Sequence, residues 1–132
     1  MKKTINLGVL GIDHGHIFDM LDEMLKEGCT CDYFWTEGDP LTLKEFNSKY
    51  PNIKRKEKKE EILNDPSIDM ILISSVPKDR ANNSIEALKA GKDVMVDKPG
   101  CTTLDQLNEL KQTVKETGKI WSVNFSERFH VA

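Results

Sequence analysis

The chain alternates short, nearly continuous apolar runs with longer stretches in which apolar residues recur every three or four positions. The first kind of run is what a strand covered on both faces looks like, and the second is one stripe of an amphipathic helix. Residues 5–11 read as a buried first strand. Behind them Ile17, Met20, Leu21, Met24 and Leu25 fall on one helical face, with Gly28 where that helix would stop. Residues 31–35 are short and aromatic-rich, a second strand. Asp39-Pro40 then offers a cap with proline at the first helical position, for a helix running through Tyr50 to Pro51. Residues 53–56 give a weak edge strand, and a short helix over 60–63 ends before the turn Asn64-Asp65-Pro66. Residues 68–75, with Met70, Ile71, Leu72 and Ile73 in succession, are the clearest buried strand. A helix over 79–90 turns Ala81, Ile85 and Leu88 inward and stops at Gly91, and residues 93–96 form a fifth strand. Thr103 caps a last helix with Leu104, Leu107, Leu110 and Val114 inward and Gly118 at its end, and residues 120–125 make a sixth strand.

This alternation predicts an α/β fold. The expected form is a single-domain, doubly wound parallel six-stranded Rossmann sheet in the order 3-2-1-4-5-6, with helices on both faces. Its ligand crevice should lie at the carboxyl ends of strands one and four. A length of 132 residues gives room for one such core and not for two domains.

Composition narrows the function classes. With 38% hydrophobic and 31% charged residues the chain reads as an ordinary globular protein. The apolar stretch behind Lys2 and Lys3 ends at Asp13 and His14, so it is a strand rather than a signal peptide, and a cytoplasmic location is expected. A net charge of −3 gives no basic footprint, and the run over 54–59 is followed directly by Glu60 and Glu61. That run reads as a solvated face, and no nucleic-acid or membrane partner is expected. Cys29, Cys31 and Cys101 read as free thiols, because the Cys29/Cys31 pair has no second ligand cluster beside it.

The turn after the first strand is where such a fold meets its ligand. It reads Gly8-Val9-Leu10-Gly11-Ile12-Asp13-His14-Gly15-His16, a degenerate form of the dinucleotide fingerprint GxGxxG. With Gly11 as first glycine, the second falls on Asp13 and the third on His16. A carboxylate at Asp13 opposes a pyrophosphate, whereas Gly15, displaced by one, still permits close approach, and amides at a helix start attract anions. Gly11, Ile12, Asp13, His14, Gly15 and His16 are therefore the first cofactor-binding candidates. His14 and His16 are also metal-ligand types, but i, i+2 on a turn supplies two ligands and no third, so no metal is expected. Capping of the helix by Asp13, or contact of this cluster with a ligand phosphate, is expected instead. Glu37, 26 residues after Gly11, is positioned to accept from an adenosine ribose 2′-hydroxyl, at a spacing looser than the usual ~20. A solvated loop carboxylate is the plainer reading of Glu37, and Thr36 beside it suits either cofactor. NAD is preferred over NADP on this residue alone.

Three further segments carry a more specific signal. Residues 87–99, Ala-Leu-Lys-Ala-Gly-Lys-Asp-Val-Met-Val-Asp-Lys-Pro, resemble the "ALxAGKxVxxEKP" segment of the Gfo/Idh/MocA oxidoreductases, relatives of glucose-fructose oxidoreductase and inositol dehydrogenase. Residues 65–74 are similar to that family's "DPxIDxVxIAT" strand, and residues 124–130 to its "GFNRRFHP" passage into a second domain. The resemblance implies a nicotinamide-dependent oxidoreductase acting by hydride transfer on a sugar, polyol or similar hydroxy compound. It places Lys98 near the nicotinamide and the reacting hydroxyl as the catalytic residue, where an ammonium can stabilise an alkoxide or relay a proton. Asp97 replaces the family's Glu and orients Lys98, and the Lys98-Pro99 bond is expected to be cis. Ser74, Ser75, Val76 and Pro77 stand in for "ATPN" on the nicotinamide side, and Arg80 stands where relatives carry His.

The same resemblance makes residues 1–125 the dinucleotide-binding domain and 126–132 the start of the passage toward a substrate-binding α+β domain. That second domain carries the His and Asp residues that complete catalysis in relatives. The chain alone is expected not to turn over substrate, and any homo-oligomer would have to form through a Rossmann surface. A rival expectation, from the altered glycine turn, is a non-catalytic Rossmann module that senses a ligand or assembles with a partner.

Overall fold

A computed structural model describes residues 4–124. Its strands are β1 (Asn6–Leu10), β2 (Thr30–Trp35), β3 (Lys54–Arg55), β4 (Met70–Ile73), β5 (Asp93–Asp97) and β6 (Trp121–Asn124). The helices between them are α1 (His16–Lys26), α2 (Leu43–Lys49), α3 (Glu60–Leu63), α4 (Pro77–Lys89) and α5 (Leu104–Thr117). All strand pairs are parallel, and the order is β3-β2-β1-β4-β5-β6, the expected doubly wound sheet. The order reverses between β1 and β4, so their carboxyl ends open a crevice. Phe125, expected to end the sixth strand, and the passage over 126–132 lie outside the described residues.

Each face of the sheet buries its own core. On one side Leu7, Val9, Ile17, Leu21, Phe34 and Phe46 pack under α1 and α2; on the other Leu10, Ile62, Ile71, Ile73, Leu88 and Leu110 pack under α3, α4 and α5. Full burial of such side chains contributes about 2 kcal/mol each. The central strands therefore hold the crevice's walls in place, while the loops at its mouth carry the chemistry.

Local chemistry explains where elements begin. Thr103 caps α5 through its side chain, with Gln106 answering in a reciprocal capping box, and Gly118 ends the helix at φ +70°. Leu104 does not face inward as expected: at the first turn it is 71% exposed, and the buried stripe runs through Leu107, Leu110, Thr113 and Val114. Asp39 does not cap α2. That helix starts at Leu43 behind Thr42, whose hydroxyl is turned to the carbonyl of Ile12, while Asp39 pairs with Arg55 at 3.4 Å. The edge strand β3 is two residues long. No helix among the described residues is long and apolar enough to cross a membrane.

Candidate cofactor site

The β1–α1 turn is tied down by its own backbone. Gly11 has φ +87°, and a Cβ there would sit 2.4 Å from Ser75 Cβ and 2.7 Å from Ser75 Cα, so only glycine lets the β1 and β4 ends approach this closely. Its amide donates to Trp35 O at 2.7 Å, Ile12 N donates to Thr36 Oγ1 at 3.2 Å, His14 N to Ser74 O at 3.1 Å, and His16 N to His14 Nδ1 at 3.1 Å. Of the turn's amides, those of Asp13 and Gly15 are the ones these bonds leave. The residue before α1 is Gly15, with no side-chain cap, so the expected capping by Asp13 is not realised; the turn is closed by backbone bonds instead. A Cβ on Gly15 would meet open space, in contrast to Gly11.

Beside this turn lies a cavity of about 590 Å³, within the size range of ligand pockets. Gly11 and Asp13 line it from the β1 loop, Trp35 and Glu37 from the end of β2, Ser75 and Val76 from the end of β4, and Lys78, Asp79, Asn82, Asn83 and Glu86 from α4. Burial holds the Asp13 carboxyl above the ordinary aspartate range, and the nearby Asp79 and Glu37 push it the same way. Lys59 also reaches the cavity, which corrects its reading as part of a solvated face. Its ammonium pairs with Glu86 at 2.7 Å, lies 3.3 Å from Asn83 Oδ1 and sits over the Trp35 ring. Nothing in the local run of lysines distinguishes Lys59; its partners come from α4.

A second set gathers behind the turn. Asp97, at the end of β5, is fully buried, with Oδ1 3.0 Å from His16 Nδ1 and Oδ2 3.5 Å from His14 Nδ1. Ser74 Oγ donates to the same Oδ2 at 3.3 Å, and Arg80 Nη2 lies 3.5 Å away. Sequence reasoning gave the two histidines no third ligand-type partner. The fold supplies one from 81 residues further along the chain. Arg80, 1% exposed, is the organiser that sequence reasoning noted only as a departure. It donates from Nε to Ser75 O at 2.7 Å and from Nη1 to Lys98 O at 2.5 Å, with Asp97 O and Pro99 O at 3.4 Å. Burial lowers the Arg80 pKa, and the charges of Asp97 and Asp13 work against that.

The expected site residues thus fall into two groups. Gly11, Asp13, Glu37, Ser75 and Val76 line the cavity. His14, His16, Ser74 and Asp97 form the second cluster, its serine and carboxylate buried and its histidines facing solvent, with Lys98 and Pro99 following Asp97; the Lys98-Pro99 bond is cis, as the resemblance implies. Ile12 is fully buried and meets its neighbours through its amide, and Pro77 opens α4 at the surface. Cys29, Cys31 and Cys101 are free, and burial pushes the Cys31 thiol up to about 12.

A dinucleotide fits this crevice in position and in volume. The Gly11–Ser75 contact and the cavity beside it supply the close backbone approach that the fold offers at its switch point. The fit is weaker at the phosphates, where Asp13 replaces a glycine.

The comparisons agree with this geometry. The model of the Gfo/Idh/MocA family, described as an oxidoreductase family with an NAD-binding Rossmann fold, matches residues 38–125. The chain is 26% identical over 132 residues to a scyllo-inositol 2-dehydrogenase (NADP(+)) of Bacillus subtilis, covering 96% of this chain and 34% of that protein. It is 36% identical over 72 residues to a scyllo-inositol 2-dehydrogenase (NAD(+)) of the same organism, covering 54% of this chain and 21% of that one. Among solved structures, an Erwinia carotovora atroseptica protein superposes with a TM-score of 0.90 at 32% identity, over 94% of this chain and 37% of that chain. The biliverdin reductase of Synechocystis, with biliverdin and NADP+, shares the fold with a TM-score of 0.79 at 22% identity, over 91% of this chain and 37% of that chain. The chain spans about a third of the length of its relative that matches end to end. On the family match, the sheet order and the crevice together, the chain belongs to the Gfo/Idh/MocA oxidoreductases and carries their nicotinamide-dinucleotide-binding Rossmann domain.

Proposed function

We propose that this domain serves an oxidoreductase acting on the hydroxyl-bearing carbon of a sugar, polyol or similar compound, with Lys98 as the catalytic residue. The observation that carries the reading is the crevice at the β1/β4 switch point, closed by Gly11 against Ser75 and flanked by the cis Lys98-Pro99 segment at the end of β5. A nicotinamide dinucleotide, when bound, supplies or takes up the hydride. The chain's own residues bind and orient. Glu37 would accept from the adenosine ribose, amides of the β1–α1 turn would meet the phosphates, and Ser74, Ser75 and Val76 would flank the nicotinamide. Arg80 holds the Lys98 and Pro99 carbonyls, which fixes the backbone that presents the Lys98 ammonium for charge stabilisation or proton transfer.

Similarity to inositol dehydrogenases supports the polyol class of substrate. The domain by itself is expected not to turn over substrate, because the substrate-reading pocket implied by the resemblance belongs to a second domain. We place the domain in the cytoplasm. A thermal-shift titration with NAD(H) and NADP(H) tests binding. Stabilisation should grow with the logarithm of cofactor concentration, about 2.7 kcal/mol at a hundredfold excess over Kd, and no shift at millimolar cofactor overturns the reading.

A second reading is a non-catalytic module, favoured by Asp13 in place of the second glycine and by the internal use of four turn amides. Asp13→Gly separates the two. A gain in nucleotide affinity supports the cofactor site, and continued absence of binding supports the module.

A further inference from the structure

We propose that His14, His16 and Asp97 form a binding site for a divalent transition-metal ion, Zn²⁺ foremost, beside the β1–α1 turn. One ligand atom from each of the three residues lies within 4.8 Å of the others, and the two His–carboxylate separations are 3.0 and 3.5 Å. Atoms bound to one tetrahedral ion at about 2.0–2.2 Å stand roughly 3.4 Å apart; His16 and Oδ1 already stand near that spacing, and His14, now nearest Oδ2, turns toward Oδ1 to complete the set.

The carboxylate is prepared for this task. Asp97 is fully buried, and its Oδ2 already takes the Ser74 hydroxyl and faces Arg80, which leaves Oδ1 directed at His16. Outer partners of this kind fix a ligating carboxylate and its orientation. The Arg80 charge and the positive start of α1 oppose a cation, and the Asp97 charge works against both. On the other side the histidines are open to solvent, with side-chain exposures of 53% for His14 and 36% for His16, which gives an ion a way in. His14 Nδ1 must give up the amide of His16 to bind, and the His16 Nδ1–Asp97 Oδ1 hydrogen bond is exchanged for two bonds to the ion.

Two imidazoles and one carboxylate suit zinc and its first-row neighbours rather than calcium or magnesium, and three protein ligands leave a position for water or a ligand oxygen. The site shares the β1–α1 turn and Ser74 with the dinucleotide reading but not the cavity or Glu37, so metal binding is read with no nucleotide present.

The test uses the chelator-stripped full chain, titrated with Zn²⁺ alone by calorimetry and with Co²⁺ by visible absorption. The expected result is saturation at one ion per chain, with a Co²⁺ spectrum lacking thiolate charge-transfer bands. His14→Gln and His16→Gln, both at accessible side chains, should each weaken binding at least about tenfold, and Ser74→Ala, acting through Asp97, by about tenfold. Cys31→Ser should leave binding unchanged. Circular dichroism confirms that each variant is folded. Absence of saturable binding, binding that survives both histidine changes, or binding lost with Cys31 overturns the proposal.

Discussion

At the β1–β2 end of the crevice, Asp13 and Glu37 stand on loops and line the cavity, and Asp39 is exposed with Arg55 as its partner. At the β4–β5 end, Ser74, Arg80 and Asp97 are buried and bonded to each other and to the backbone of the Lys98-Pro99 segment. The first end is shaped by one glycine contact; the second is built from a polar network inside the protein. A network of that kind is costly to break and holds its geometry, so the β4–β5 end of the crevice is the stiffer of the two. The altered fingerprint and the Lys98-Pro99 pair that matches the family segment follow the same division.

The largest test of this difference is Arg80→Met. It leaves Asp97 without its buried cation and four carbonyls without their donor, and should cost about 3–5 kcal/mol in urea denaturation, a large part of a domain's roughly 5–15 kcal/mol. Arg80→Lys should recover only part, because one ammonium cannot span Ser75 O and the Lys98 carbonyl together. A cost below about 1 kcal/mol would show that the network is not what stiffens this end.

The next effect separates two glycines of one turn. Gly11→Ala must adopt φ +87° and push its Cβ into the Ser75 backbone, at a cost of about 3 kcal/mol. Gly15→Ala meets nothing within 4 Å and should change stability by less than about 0.5 kcal/mol. Equal effects in thermal melts would deny that close approach at Gly11 builds the crevice.

How much of this was legible in the chain depends on how local its causes are. The Met70–Ile73 run and the Thr103 cap of α5 are set by neighbours in sequence, and both stand where the pattern placed them. Leu104 was misread because helical spacing alone does not say where the covering sheet ends. Asp39 was misread because Arg55, from β3, competes for its carboxylate. The site divides in the same way. Gly11 and Glu37 followed from the fold's usual loops and Ser75 from the family resemblance, whereas the roles of Lys59, Arg80 and the His14–His16–Asp97 cluster arise between elements far apart in sequence, which no local spacing records.

At the variable end, Glu37→Ser should lower NAD affinity about tenfold, the worth of a hydrogen bond to a charged group, and leave NADP affinity unchanged or improved. Isothermal titration with both cofactors reads the ratio. Arg55 lies close by, donating to Thr36 O and Gly38 O, and is a cation near which a 2′-phosphate can be accommodated once the carboxylate is gone. Loss of both affinities together would place Glu37 in the turn's structure rather than at the ribose.

The smallest effect is at Asp13, and its sign is fixed by the direction of the pKa shift. Burial raises the carboxyl's pKa in the folded chain above its unfolded value, so the ionised form is the costlier one in the native state. The penalty is absent below the ordinary aspartate range, where both states are protonated, and it builds as pH rises through the folded value to a plateau. Asp13→Asn removes it. The variant should melt about 2 °C above the parent at neutral pH, and the difference should close as the pH falls below 4. It should also bind either dinucleotide more tightly at neutral pH, because the charge opposing the phosphates is gone. A stability gain with no change in dinucleotide affinity would place the phosphates away from Asp13, and a variant less stable than the parent at neutral pH would mean that the Asp13 carboxylate holds the turn together.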